Sequence, residues 1–206
     1  MGSTEMIHHH LGALPYRVGV AVSGGADSMA ALDFVKNSRR DVFAVFYDHG
    51  TDTSKEAWYS VMSYCSSRDI PIKKARIEGE CPSGRSLEDW WREQRYKFFH
   101  SFEEPIVTAH HLDDCVETWI FSSLHGNGKI IPYANRNVVR PFRLTRKTEF
   151  QNWCRKRSIE WHEDYSNDDV RFMRNYIRKE IVPKALVVNP GLHKVIAKKI
   201  RNESAQ

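Results

Sequence analysis

Three clusters of residues in this sequence have types and spacings that could do chemistry. The first is Ser23-Gly24-Gly25-Ala26-Asp27-Ser28, which follows the β-branched run RVGVAV and precedes a helix-like stretch. Glycines there let the backbone approach a ligand closely. The new helix presents unpaired N–H groups at its positive end, and two serine hydroxyls add donors. Such a nest can hold phosphate without a lysine. The pattern GxxxxGK[ST] is absent, so ordinary γ-phosphate hydrolysis is not the expected chemistry. The second cluster, Asp113, Asp114 and Glu117, places three carboxylates within a turn and a half at the start of a helix. Asp114 and Glu117, three apart, share one face; the plainer reading is a set of acids countering a helix dipole. The third is basic. From Arg136 onward there are 17 Lys/Arg against 8 Asp/Glu, whereas the preceding residues hold 14 against 18. Arg171, Arg174 and Arg178, at spacings of three and four, fall on one helix face. This segment is expected to meet a polyanion, the alternative being a solvated basic surface.

The elements that must position these clusters alternate. Strands are expected at Arg17–Val22, Val42–Tyr47, Ile70–Ile77 and Pro105–Ala109, each a nearly continuous apolar run. Helices are expected at Ser28–Asn37, Ser54–Arg68, Leu87 to about Glu103 (capped by Ser86, with Glu88 and Asp89 in the first turn) and Asp113–Leu124. Strands of this kind between helices predict an α/β fold, a doubly wound parallel sheet covered on both faces. Ligands then bind beyond the carboxyl ends of the strands, where 23–28, 48–51 and 110–114 would converge. After a loop at 125–137 come a short extended piece at Val138–Phe142 and a helix from about Thr145 to Arg157. A helix from about Val170 to Val182, stopped by Pro183, and a last basic helix after Asn189 complete the chain. The expected division is one catalytic unit, 1–206, with a nucleotide-binding core at 1–135 and a basic helical extension at 136–206. The aromatics Trp90, Trp91, Tyr96, Phe98 and Phe99 read mainly as core by helical spacing.

With 41% hydrophobic and 28% charged residues in 206, the chain can build a core and is not expected to be disordered. No run approaches the ~20 apolar residues of a membrane span. The start of the sequence lacks a cationic segment followed by an apolar one, so no secretory signal is expected. Cys65, Cys81, Cys115 and Cys154 form no CxxC pair and read as reduced thiols, which fits a cytoplasmic protein.

SGGADS preceded by VGVAV resembles the PP-loop motif, SGGxDS, of the N-type ATP pyrophosphatases. Members of that superfamily adenylate a carbonyl oxygen, release pyrophosphate and let a nucleophile displace AMP. Tyr47-Asp48-His49-Gly50 resembles the VDHG segment of the tRNA(Ile)-lysidine synthetases. Arg92-Glu93-Gln94-Arg95-Tyr96 resembles their ARxxRY helix, with Trp91 in place of a small residue. His110 to Thr118 (HHLDDCVET) resembles HHxDDQxET, with Cys115 where Gln is common. Arg140-Pro141-Phe142, and Asp164-Tyr165-Ser166-Asn167 with Arg174-Asn175 and Arg178, resemble two further motifs of that family. The family's glycine-rich loop is reduced here to Gly126 and Gly128.

The resemblance implies ATP and Mg²⁺ as cofactors, and L-lysine and an isoleucine tRNA with a CAU anticodon as partners. It implies that Ser23, Gly24, Gly25, Ala26, Asp27 and Ser28 bind ATP, with Asp27 a magnesium ligand. Asp27, Arg92, Asp114 and Glu117 would be catalytic, the last three binding lysine. Arg140, Arg171, Arg174 and Arg178 would face tRNA. One of His110 and His111 would contact nucleotide. Other activities open to this superfamily are tRNA thiolation, small-molecule amide synthesis and tRNA binding without catalysis.

Overall fold

The computed structural model describes residues 14–162 and 173–203. Six strands form one sheet in the order β3-β2-β1-β4-β6-β5. β1 (Arg17–Val22), β2 (Asp41–Asp48), β3 (Ile72–Arg76), β4 (Ile106–Val107) and β6 (Val138–Val139) run parallel. β5 (Ala134–Asn135) pairs antiparallel with β6 at the edge. This two-residue strand falls in the expected loop at 125–137, too short and polar to carry a period. The sheet thus continues past residue 135, into the first residues of the basic segment.

Alternation along β2 divides the core. Val42, Ala44 and Phe46 face α1 (Ala26–Lys36), α2 (Asp52–Ser66) and α5 (Lys147–Lys156), whereas Phe43 and Val45 face α3 (Leu87–His100) through Tyr96 and Phe99. Trp90 is buried as well, as the helical spacing of these aromatics requires. Gly19 on β1 is needed because a Cβ would lie 2.6 Å from Ile106 Cδ1 and 2.8 Å from Phe43 Cε2. A third cluster joins α4 (Leu112–Leu124) to α8 (Leu192–Glu203) through Leu112, Val116, Ile120, Ile196 and Ile200. From β1 the chain winds outward to β2 and β3, then returns to place β4 on β1's other side. The reversal lies between β1 and β4, where such sheets bind ligands.

Pro183 does not stop its helix. α6 (Met173–Tyr176) runs into a π-helical turn, Ile177–Ile181, and α7 (Val182–Val188) carries Pro183 in its first turn. Proline lacks an N–H and clashes with the carbonyl four residues back. The wider turn, in which the Val182 N–H donates to Ile177 O, relieves both demands and lets the helix continue.

Candidate functional site

The glycine nest closes the end of β1. Gly24 has φ +80°, and a Cβ there would lie 2.9 Å from Ala57 Cβ on α2, so both conformation and space require glycine. The Ser23 N–H donates to Ser28 Oγ at 3.1 Å, and the Ser28 hydroxyl donates to Gly25 O at 2.9 Å. Gly25 caps α1 with an extended backbone and offers no side-chain acceptor, which leaves the helix N-terminus to a ligand. Ala26 begins α1 and is buried. Asp27, in the first turn, has one oxygen 3.5 Å from His111 Nε2. Its other oxygen, Oδ1, is buried and has no hydrogen-bond partner among the described residues.

The acids emerge from the end of β4, beside β1. His111 caps α4: its Nδ1 accepts the Asp114 N–H at 3.2 Å, and Asp114 Oδ2 accepts the His111 N–H at 2.9 Å. In neutral His111 the proton therefore sits on Nε2, the nitrogen facing Asp27. Burial pulls the His111 pKa down, but Asp114 and Asp27 outweigh it and raise it. Burial would likewise raise the Asp114 carboxyl. His111, Arg174 and His110, with the His111 amide, instead hold it well below the usual carboxylate range. One link of imidazole and backbone thus joins the phosphate nest to the acidic helix.

Asp113 points elsewhere. It accepts the Lys147 N–H at 2.9 Å and lies 3.0 Å from His193 Nε2 and 3.2 Å from Arg146 Nη2, tying α4 to α5 and α8. Sequence spacing could not reveal this role, because the partners are 33 to 80 residues away.

Arg174 and Arg178 converge on the other two acids. Arg174 Nη2 donates to Asp114 Oδ1 at 2.8 Å and Arg174 Nε to Glu117 Oε2 at 3.2 Å. Arg178 donates to Glu117 Oε1 at 2.6 Å and Oε2 at 3.0 Å. Glu117 is only 4% exposed. Arg140, 2% exposed, donates to Pro132 O and to the Tyr96 hydroxyl at 3.0 Å. These three arginines, read from the sequence as a tRNA face, all have partners inside the protein. Arg171 and the Asp164–Asn167 motif lie outside the described residues.

Arg92 is exposed, with its guanidinium 4.8 Å from the Tyr96 ring. Arg95, which sequence reasoning left without a role, contacts His49 Nε2 at 3.4 Å. Burial and the Arg95 charge push His49 down to about 4, so the ring is neutral and accepts. Trp91, the departure from the family helix, lies 5.4 Å from His49. His110 is pushed down to about 3 by burial, with Arg140, Arg174 and Arg92 adding to the shift. Cys115, the other departure, is fully buried in the cluster between α4 and α8.

The residues fit a divalent cation at Asp27, whose unpartnered buried oxygen is a hard donor next to a phosphate nest. No cluster of three acidic, histidine or cysteine ligands exists among the described residues. Mg²⁺ bound through one carboxylate, phosphate oxygens and water needs none. Among the described residues no helix is long and apolar enough to cross a membrane.

Comparison with known proteins places these observations. The chain is 33% identical over 181 residues to a tRNA(Ile)-lysidine synthase of Actinobacillus succinogenes, covering 80% of this chain and 42% of that protein. A tRNA(Ile)-lysidine synthase of Francisella philomiragia is 26% identical over 212 residues, 96% of this chain and 53% of its own. The chain therefore spans about half the length of these relatives. In fold it is similar to an NH3-dependent NAD synthetase of Campylobacter jejuni (TM-score 0.51, 13% identity, 94% of this chain and 87% of that one). It is also similar to an NMN synthetase of Francisella tularensis (TM-score 0.52, 11% identity, 91% and 87%). The sequence pattern of the PP-loop domain matches residues 5–185, and with SGGADS closing β1 at the switch point of the sheet, the chain belongs to the PP-loop domain family.

Proposed function

We propose that this protein is a tRNA(Ile)-lysidine synthetase, which adenylates an anticodon wobble cytidine at C2 with ATP and ligates lysine there, releasing AMP and pyrophosphate. The observation that carries the reading is the direct link from phosphate nest to acid pair: Asp27, His111 and Asp114 in sequence contact across the ends of β1 and β4. Two substrates that must react in turn need adjoining sites.

The nest of Ser23, Gly24, Gly25, Ala26 and Ser28 holds the ATP phosphates at the start of α1. Asp27 holds Mg²⁺, which when bound neutralises charge on the leaving pyrophosphate. His111 fixes the Asp27 carboxylate. The wobble C2 carbonyl oxygen attacks the α-phosphorus, and the lysine ε-amine then displaces AMP at C2. Asp114 and Glu117 receive the lysine α-ammonium. A carboxylate has about four acceptor sites, and among the described residues Asp114 uses two and Glu117 three, which leaves about three for the three N–H bonds of an ammonium. Arg92, exposed on α3, stabilises the lysine carboxylate or the anionic intermediate.

The test is incorporation of radiolabelled lysine into an isoleucine tRNA with a CAU anticodon, with ATP products resolved. Lysine-dependent transfer with AMP and pyrophosphate is expected. Asp27→Ala is expected to abolish AMP formation, whereas Asp114→Ala mainly impairs lysine use. ADP and phosphate as the only products would refute the proposal.

A further inference from the structure

The end of the molecule opposite the nest has an unassigned cavity. It is lined by Asp33, Lys36, Asn37, Arg68 and Arg157, where α1, α2 and α5 terminate. α5 begins against Asp113 and packs on α1, and its end arrives beside the end of α1: Arg157 Nε lies 3.4 Å from Asp33 Oδ2. The cavity lies about one length of α1 from the nest, ~16 Å at 1.5 Å per residue.

Its acid is already spent. Asp33, 4% exposed, accepts the Tyr64 hydroxyl at 2.6 Å and Trp153 Nε1 at 2.8 Å, besides its contact with Arg157. Those same two aromatic rings carry the arginines. The Arg68 guanidinium lies 4.0 Å from the centre of the Tyr64 ring and that of Arg157 4.5 Å from Trp153. Stacking holds both planes in place before any ligand arrives. Among the described residues neither Lys36 nor Arg68 pairs with a carboxylate; Arg68 donates to Ser67 Oγ at 2.8 Å. Arg39, Arg155 and Lys156, close to them in sequence, are exposed, as are Asp69 and Glu160. A helix C-terminus offsets roughly half a charge, so three helix ends with Asp33, Asp69 and Glu160 still leave the six cations in excess.

We propose that this pole binds the phosphate backbone of RNA, as a second contact for the tRNA of the reading above, on which it rests. The cations spread across three helix ends, wider than a single phosphate, and so fit a polyanion. Three of the six, Arg155, Lys156 and Arg157, belong to the basic C-terminal segment, whose Arg140, Arg143, Arg146, Arg174 and Arg178 are by contrast engaged within the protein.

The test is a double variant, Lys36→Gln with Arg68→Gln, which leaves Arg157 and the Asp33 bonds in place. Affinity for an unmodified tRNA transcript is measured across a salt series, with circular dichroism confirming the fold. Each lost phosphate contact is expected to flatten the log–log salt slope by about 0.7–0.9. The double variant should lose up to about 1.8 in slope, with ATP affinity unchanged. An unaltered slope and affinity overturns the proposal. So does a cavity that binds inorganic phosphate, lost in the variant, while tRNA binding is unmoved. If the slope flattens yet wild-type protein transfers no lysine, the RNA contact stands and the lysine reading falls.

Discussion

Glu117 and Arg178 provide a measurable coupling on which the acid site depends. Glu117 is nearly inaccessible and accepts three guanidinium N–H bonds, two from Arg178 and one from Arg174. Glu117→Gln keeps the volume and one acceptor oxygen but removes the charge. Arg178→Gln removes the bidentate partner and leaves Arg174. Breaking a buried pair by deleting one partner costs about 3–5 kcal/mol. Arg178 retains some solvent access and Asp114 lies 3.6 Å away, so a value at or just below that range, about 2–3 kcal/mol for Glu117→Gln, is expected here. If the two side chains stabilise the fold through each other, the double variant should lose less than the sum, with a coupling of about 1–3 kcal/mol. Urea unfolding gives the answer. At a slope of about 2 kcal/mol per molar, Glu117→Gln moves the midpoint by roughly 1–1.5 M. A coupling below about 0.5 kcal/mol would show that Arg178 does not hold Glu117, and the description of the acid pair as a braced site would be wrong.

Two further outcomes follow from local geometry. Gly24→Ala forces a side chain onto a left-handed backbone against Ala57; a loss of about 1–3 kcal/mol in stability, seen as a lower melting temperature, and a larger loss in ATP affinity are expected. Stability should also fall on acidification. His110 is lowered to about 3 and His49 to about 4 by burial, so below the unfolded value near 6.5 the unfolded chain binds more protons. Their contribution is complete above about pH 6.5 and lost as pH falls toward about 4 for His49 and about 3 for His110. His111, raised in the fold, works in the opposite direction and loses its contribution as pH rises. His110→Asn should therefore lower the slope of stability against pH in that window, by at most about 1.4 kcal/mol per unit, in denaturation at several pH values.

The centre of the sheet and its helices were legible because β1, β2 and β4 are short apolar runs and each early helix has a cap or an acid at its start. Ser86 does cap α3, accepting the Asp89 N–H at 3.4 Å. Convergence of the nest and the acids followed from the rule for parallel sheets. What was not legible depends on partners remote in sequence. Asp113 and Asp114 are neighbours with identical chemistry, yet one anchors helices and the other joins the site. His111 could not be separated from His110 by spacing. Proline stops most helices, and only the π turn before Pro183 explains why this one goes on.

Charge is where the sequence and the fold part furthest. A count by segment assigns the basic surplus to residues after Arg136, but a count by position in space does not. Arg140 lies under Tyr96, Arg143 and Arg146 reach Glu203 and Asp113, and Arg174 and Arg178 reach the α4 acids. Arg146, Arg174 and Arg178 thus balance carboxylates of the acidic first half, and that part of the lopsidedness cancels at α4. What the cancellation accomplishes is chemical. A lone pair of acids this buried would be driven toward protonation, and a neutral pair would not attract an ammonium group. With His111 and Arg174 against it, the Asp114 carboxyl is held well below the usual carboxylate range and remains ionised. The basic segment thus conditions the acidic one, and others of its cations stand exposed, some at the pole where α1 and α5 end and some along α8.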